Sequence, residues 1–327
     1  MTAAFIDAFD AVLADLDGVV YAGPHAIPGA PEALRGLAPR GVRLGYVTNN
    51  ASRSPAEVAA HLRELGAPAE DGDVVSSAQA GAALLASRVP AGAAVLVTGS
   101  RALAHEVELR GLVPVKSADE RPAAVIQGFS PDLGWRDLAE ASYAVAAGAL
   151  WVATNTDLSL PQARGIAPGN GTLVSAVRAA TGREPLVAGK PEAPLFVAAA
   201  ERLGAQRPVV VGDRLDTDIL GGNRAGFATA AVLTGVDTPE TILAARSAER
   251  PGYILGTLAE FYVPYPEPKA DDGAWRAGRF TARVDGDVLR VSGSPDDLDA
   301  WRAACAAWWT ARPDADEPTV PELVWRA

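Results

Sequence analysis

Short apolar runs rich in valine, leucine and alanine alternate along this chain with segments whose apolar residues recur every three or four positions. The first kind reads as buried strand and the second as one-faced helix. Their alternation predicts βα units around a largely parallel sheet, an α/β fold. The strand candidates are residues 11–15, 42–48, 95–98, 124–127, 150–154, 209–211 and 228–233. Between them, residues 31–37, 55–65, 101–110, 135–147 and 172–180 carry the helical pattern. Pro31 and Pro55 suit a first helical position, where a missing N–H costs nothing, and Ser54 can cap the second of these helices.

The polar residues sort this pattern into domains. Strands ending in acids, amides or a lysine fall into two groups, residues 11–50 and 186–235, and a long stretch with its own βα pattern separates them. The expected division is a core formed by residues 1–78 and 186–264, an inserted α/β domain at 79–185, and a C-terminal extension at 265–327. A proline-punctuated linker, Tyr262-Val263-Pro264-Tyr265-Pro266-Glu267-Pro268, precedes the extension. Residues 279–284 and 288–292 flank the turn Asp285-Gly286-Asp287 and predict a β-hairpin. Ser294-Pro295-Asp296-Asp297 then predicts a helix start, with an N-cap, a proline and early acids. Leu298, Trp301, Cys305 and Trp308 form one apolar stripe on that helix, so a small ββα unit should pack against the core or a second subunit.

Composition narrows the function classes. Across 327 residues, 29 basic against 40 acidic side chains leave a net charge of −11, which argues against a nucleic-acid partner. A length of this size allows about two domains. The single cysteine, Cys305, excludes an internal disulfide framework and fits a reducing compartment. No basic leader precedes an apolar stretch, and no run of apolar residues is long enough to span a bilayer, so a cytoplasmic protein with no membrane partner is expected.

The candidate chemistry sits at strand ends. Asp15-Leu16-Asp17-Gly18 closes the first apolar run, and side chains two apart on a strand share a face. Two buried carboxylates are costly unless a cation neutralises them, and Mg²⁺ favours one or two carboxylates plus phosphate oxygens. Thr48, Asn49 and Asn50 end a second strand with a hydroxyl and amides suited to phosphate oxygens. Lys190, one of only three lysines, follows Gly189 after another apolar run and offers a compact point charge. Asp213 follows the strand 209–211 after Gly212, where it can complete a metal site with Asp15. Asp218 can hold the loop or the metal's waters, and Asp216 reads as solvated or capping.

Taken in order, Asp-x-Asp-Gly, Thr-Asn, a lone lysine and Gly-Asp-x-x-x-Asp resemble the four motifs of the haloacid dehalogenase superfamily, over residues 10–262. The insertion, with Asn155, Asp157 and Pro168-Gly169-Asn170-Gly171 ahead of Gly189-Lys190-Pro191, resembles the subclass with a large α/β cap that includes 4-nitrophenyl phosphatase-like enzymes. The segments 48–54 and 212–219 and the tail resemble the glycerol-3-phosphate phosphatases of high-GC bacteria, a group whose C-terminal extension is acetyltransferase-like. The tail here lacks a Gly-rich pyrophosphate loop, so no acetyl transfer is expected of it.

The resemblance implies a Rossmann-like doubly wound parallel-sheet core with an inserted α/β cap, and a Mg²⁺-dependent phosphomonoester phosphatase. Asp15 would be the nucleophile that forms an aspartyl-phosphate, and Asp17 the general acid and base. Mg²⁺ would lie between Asp15, the Asp17 carbonyl and Asp213, with Thr48, Asn49, Asn50 and Lys190 on the phosphate and Asp218 behind the metal. The cap would close over the site and select the leaving group, with Asn155, Asp157 and Asn170 as candidates to face it or to serve as turn residues. His25, just past the first motif, reads as a solvent-exposed loop residue with substrate contact as the alternative, and His61 and His105, in helical patterns, receive no role. Glycerol 3-phosphate ranks first as substrate, ahead of 2-phosphoglycolate, pyridoxal phosphate and sugar phosphates. A non-catalytic metabolite sensor is the competing class, and a homodimer is possible because related caps pair.

Overall fold

The computed structural model describes residues 3–162 and 164–326, with the side chains of 161 and 162 excepted. The architecture is the α/β one expected, with parallel sheets in a doubly wound core, an α/β cap and a C-terminal extension. The backbone divides into two compact units, one of residues 1–45, 64–68 and 203–327, the other of residues 46–63 and 69–202.

In the first unit the strands Tyr253–Leu255, Ala228–Val232, Pro208–Gly212 and Ala11–Ala14 lie side by side in that order, all parallel. Ala11–Ala14 and Pro208–Gly212 are buried along their whole length, as expected of strands covered on both faces. Their register pairs Ala14 with Val211, so the residues that follow each strand emerge at the same edge. Asp10 ties the opposite edge together. Its carboxylate accepts the backbone N–H groups of Gln206 and Arg207 at 2.8 and 2.9 Å and meets the Arg43 guanidinium at 3.2 Å.

The extension belongs to this unit. The expected hairpin and helix are present as Phe280–Asp285, Val288–Ser292 and Leu298–Ala311. Three further strands complete a five-stranded sheet: Lys269–Asp271 and Ala274–Ala277 on one side, and Glu322–Arg326 paired parallel to Val288–Ser292 on the other. The helix starts later than its sequence signal. Ser294 instead donates its N–H and hydroxyl to the Asp297 carboxylate and accepts the Asp296 N–H, which closes a turn, and Asp297 takes the N-cap position. Trp301, Cys305 and Trp308 are buried in one cluster with Leu215, Ile219, Ile242 and Leu243 of the core, so the apolar stripe packs against the core.

Arg302 bolts the same helix down. Buried to 5% exposure, it donates to the Ile254 carbonyl at 2.6 and 2.9 Å and to Asp299 at 2.6 Å, pairs with Glu260, and stacks over Tyr265.

The second unit holds the cap sheet, in the parallel order Leu186–Val187, Leu150–Ala153, Ala124–Gln127, Ala94–Thr98 and Val113–Val115. The helices Trp135–Ala146 and Asn170–Thr181 cover one face, packing Ala141, Val145, Val174 and Val177 on Leu96, Val125 and Ala153. The strand Arg43–Thr48 ends in this unit beside Val74–Ser76, with Thr48 opposite Ser76. The helix Ser77–Ala86 follows at once, capped by Ser76. Its sequence, SAQAGAALLA, shows almost no polar face and so carries no contrast from which a helical period can be read.

Candidate active site

Asp15 follows directly on the Ala11–Ala14 strand, where its N–H donates to the Val211 carbonyl at 2.8 Å. Asp213 follows directly on the neighbouring Pro208–Gly212 strand. Asp218 returns to the same place because Leu215–Ile219 forms a wide helical turn, with the N–H groups of Asp218 and Ile219 both reaching the Arg214 carbonyl at 3.1 and 3.2 Å. Carboxylate oxygens of Asp15, Asp213 and Asp218 lie within 4.8 Å of one another. Asp213 and Asp218 are buried to 3% and 1% exposure, and Asp15 is half-buried.

Three carboxylates at that spacing repel strongly in a partly dry site, and a hard divalent cation is the economical remedy. The surroundings fit a cation of this kind. Gly18 has a φ of +78°, and a Cβ built on it, or on Gly235, would overlap the Asp213 carboxylate. A Cβ on Gly212 would overlap Asp218. The chain therefore gives up side-chain volume at three positions so that bare backbone can close around the acids.

Asp17 behaves differently from the pairing expected of it. The strand stops at Ala14, Leu16 is buried, and Asp17 is exposed on the turn, where it bridges to Tyr21. The burial cost that sequence reasoning attached to Asp15 and Asp17 falls instead on Asp213 and Asp218.

The remaining sequence candidates lie in the second unit and form a hydrogen-bonded group. Lys190 is buried to 3% exposure, with its ammonium 5.8 Å from the Phe196 ring centre. Its N–H donates to the Asn49 Oδ1 at 2.7 Å. The Asn49 Nδ2 donates to the Lys190 carbonyl at 3.2 Å and to both Asp157 carboxylate oxygens at 3.1 Å. Asn49 thus spends its side chain on holding the lysine's backbone. Thr48 is buried and its hydroxyl accepts the Asn50 N–H, while the Asn50 side-chain Oδ1 accepts the N–H and hydroxyl of Ser52 at 2.8 Å. The Asn155 Nδ2 donates to the Asn49 carbonyl at 2.7 Å, and the Asn170 Nδ2 to the Asn155 carbonyl at 2.7 Å. Gly189 permits this packing, because a Cβ there would meet the Thr154 carbonyl and Asn49. Asp216 pairs with Arg214 at 2.8 Å, and His25 and His105 are exposed.

A haloacid dehalogenase-like hydrolase model matches residues 12–113, and a HAD-hydrolase-like model matches residues 187–261. The D-glycerol 3-phosphate phosphatase of Mycobacterium tuberculosis is 46% identical over 311 residues, which cover 93% of this chain and 86% of that protein. The chain belongs to the haloacid dehalogenase-like hydrolase family. Another similar member is the glycerol-3-phosphate phosphatase of Gallus gallus, 40% identical over 78% of this chain and 88% of its own length. The acid sugar phosphatase of Staphylococcus aureus is 39% identical over 72% and 90%. Among solved structures, the M. tuberculosis glycerol phosphate phosphatase in complex with magnesium superposes with a TM-score of 0.89 at 42% identity, covering 100% of this chain and 96% of that one. The 4-nitrophenylphosphatase of Thermotoga maritima superposes at 0.72 with 31% identity over 79% and 98%. A GCN5-related N-acetyltransferase-like model matches residues 277–322, within the extension.

Within this hydrolase the structure adds residues that pattern reading passed over. The segment after the Ala228–Val232 strand wraps the acids. The Thr234 hydroxyl donates to the Gly18 carbonyl at 2.6 Å, and the Val236 N–H donates to the Asp213 carboxylate at 2.8 Å. Asp237 donates its N–H to the Asp213 carbonyl and accepts the Leu215 N–H at 2.7 Å. Thr-Gly-x-Asp immediately after a buried strand was the available signal.

Among the described residues, no helix is long and apolar enough to cross a membrane.

Proposed function

We propose that this chain is a Mg²⁺-dependent phosphatase that releases inorganic phosphate from glycerol 3-phosphate through an aspartyl-phosphate on Asp15. The observation that carries the reading is the convergence of Asp15 and Asp213, at the ends of adjacent parallel strands, with Asp218 of the following helical turn, in a chain 46% identical to an enzyme named for this substrate.

In this reading the Asp15 carboxylate attacks phosphorus in line, and the acyl phosphate it forms is an anhydride that water can cleave. Asp17, exposed and able to exchange protons with solvent, protonates the departing glycerol oxygen and then deprotonates the attacking water. Asp15, Asp213 and the Asp17 carbonyl would hold Mg²⁺, with Asp218 beside them. When bound, that ion supplies charge neutralisation between an anionic nucleophile and an anionic substrate. Lys190 and Thr48 would hold the remaining phosphate oxygens, with Asn49 fixing the lysine's backbone. The motif order and the chemistry of these groups support that assignment.

A second reading, a sugar phosphate as substrate, has the S. aureus acid sugar phosphatase in its favour. A phosphomonoester panel containing both substrates, with Mg²⁺, separates the two. Glycerol 3-phosphate should give the highest kcat/KM, and Asp15→Asn should reduce release to background on every substrate. Equal release by wild type and Asp15→Asn would remove the nucleophile assignment. Lys190→Met should raise the inhibition constant for inorganic phosphate, and an unchanged constant would remove the lysine from the phosphate site. Asp17→Asn should cost alkyl phosphates about 10²–10⁴-fold and 4-nitrophenyl phosphate less, because its leaving group needs little protonation while the water-activation step is common to both.

A further inference from the structure

The cap contains a polar cluster that none of the chemistry above uses. Thr98, Gln127 and Ala153 stand opposite one another on three neighbouring parallel strands, so their side chains leave the sheet on the same face. That face is the one covered by the helices Trp135–Ala146 and Asn170–Thr181, because Leu96, Val125 and Ala153 pack on it. Trp151, two residues before Ala153, shares it, and Asn170 opens the second of the covering helices.

All four polar side chains are buried, with exposures of 1% for Thr98, 0% for Gln127, 4% for Trp151 and 2% for Asn170. Among the described residues, none supplies a hydrogen-bond partner to the Thr98 hydroxyl, either amide atom of Gln127, the Trp151 indole N–H or the Asn170 Oδ1. Each such atom costs at least what a hydrogen bond contributes, and five together would rival the whole stability of a domain. Buried polar groups gathered in one place are commonly satisfied by internal water, which makes about three hydrogen bonds. Thr98 and Gln127 are register partners, and the Asn170 Nδ2 donates to the Gln127 carbonyl at 3.4 Å, so their side chains bring donors and acceptors for such a molecule to one neighbourhood.

We propose that Thr98, Gln127, Trp151 and Asn170 enclose an internal hydration site in the cap, and that this site positions Lys190. The coupling runs through an amide relay. The Asn170 Nδ2 donates to the Asn155 carbonyl, the Asn155 Nδ2 to the Asn49 carbonyl, and the Asn49 Oδ1 accepts the Lys190 N–H, each at 2.7 Å. Water on the Asn170 Oδ1 fixes which way that amide faces, and so keeps its nitrogen in the relay. Gln127 is a positioning residue on this account. Its catalytic consequence rests on the proposed role of Lys190 in holding phosphate.

The test uses the full chain. A crystal structure at a resolution that orders water should show density within hydrogen-bond distance of Gln127, Asn170 and Thr98. Gln127→Leu and the near-isosteric Thr98→Val should each lower Tm. Each should also raise both KM and the inhibition constant of inorganic phosphate, by about two- to tenfold, the worth of one hydrogen bond. Mg²⁺ affinity should stay unchanged in both, because neither residue is among the carboxylates that would hold the ion. A dry cluster, with Gln127→Leu melting higher than wild type, would overturn the hydration site. Ordered water with unchanged phosphate inhibition in both variants would overturn the positioning role, provided Lys190→Met does weaken phosphate. If Lys190→Met leaves phosphate inhibition unchanged, it is the proposed function that fails, and the crystallographic result still decides the hydration site.

Discussion

At the scale of single residues, the space around Asp213 decides the most. Gly18 combines a left-handed backbone with a Cβ position already taken by the Asp213 carboxylate, so Gly18→Ala adds strain and displaces an acid at once. Its Mg²⁺ affinity, read by calorimetry, should fall about tenfold or more. Asp10 shows a different use of a carboxylate. Burial works to raise its pKa, but two backbone N–H groups and the guanidinium groups of Arg43 and Arg207 outweigh it, so the net shift is downward from 3.8. A lowered folded-state pKa means stability that is present above the ordinary carboxylate range and is lost as pH falls through it. Asp10→Asn should therefore destabilise by about 1–2 kcal/mol near neutral pH in urea melts, and by clearly less at about pH 3. Asp15 and Asp213 were legible because each belongs to a short motif at a strand end. The work of Asn49 was not, because its partners Asp157 and Lys190 lie 108 and 141 residues away.

Among elements, the extension helix Leu298–Ala311 was the most readable, since its tryptophans recur at helical spacing in an otherwise alanine-rich segment. Trp308 is 1% exposed and gives its indole N–H to the Thr319 carbonyl at 3.0 Å. Trp308→Ala should cost about 3–5 kcal/mol in chemical denaturation, from the lost apolar burial together with the cavity it leaves. The strand Lys269–Asp271 was invisible for the opposite reason: it is exposed throughout and presents no apolar alternation. Val74–Ser76, Val113–Val115 and Tyr253–Leu255 are three residues each, shorter than the window in which a period can be recognised. The helix start at Ser294 misled because the capping residues bonded to one another before the helix began.

For the whole molecule, the three converging acids make metal binding and stability one problem. Mg²⁺ at about one hundred times its dissociation constant should add about 2.7 kcal/mol to unfolding, and a chelator should remove it. Asp218→Asn should narrow that difference, since it relieves repulsion in the metal-free protein, and melting curves with and without Mg²⁺ would show it. The acid sugar phosphatase of S. aureus matches over 90% of its length using 72% of this chain, so the family fold can stand without so long a tail. Here the tail covers Leu215, Ile219, Ile242 and Leu243, and a chain shortened to residue 264 should aggregate on expression for want of that cover. Arg302 turns this dependence into something that can be followed. Its side chain is only 4% exposed and its guanidinium is engaged by Ile254, Asp299, Glu260 and Tyr265, so a dicarbonyl reagent selective for arginine should react with it chiefly when the helix lifts away. Mass spectrometry of the adduct at that one position would then time the helix's departure, independently of any assay at the catalytic carboxylates.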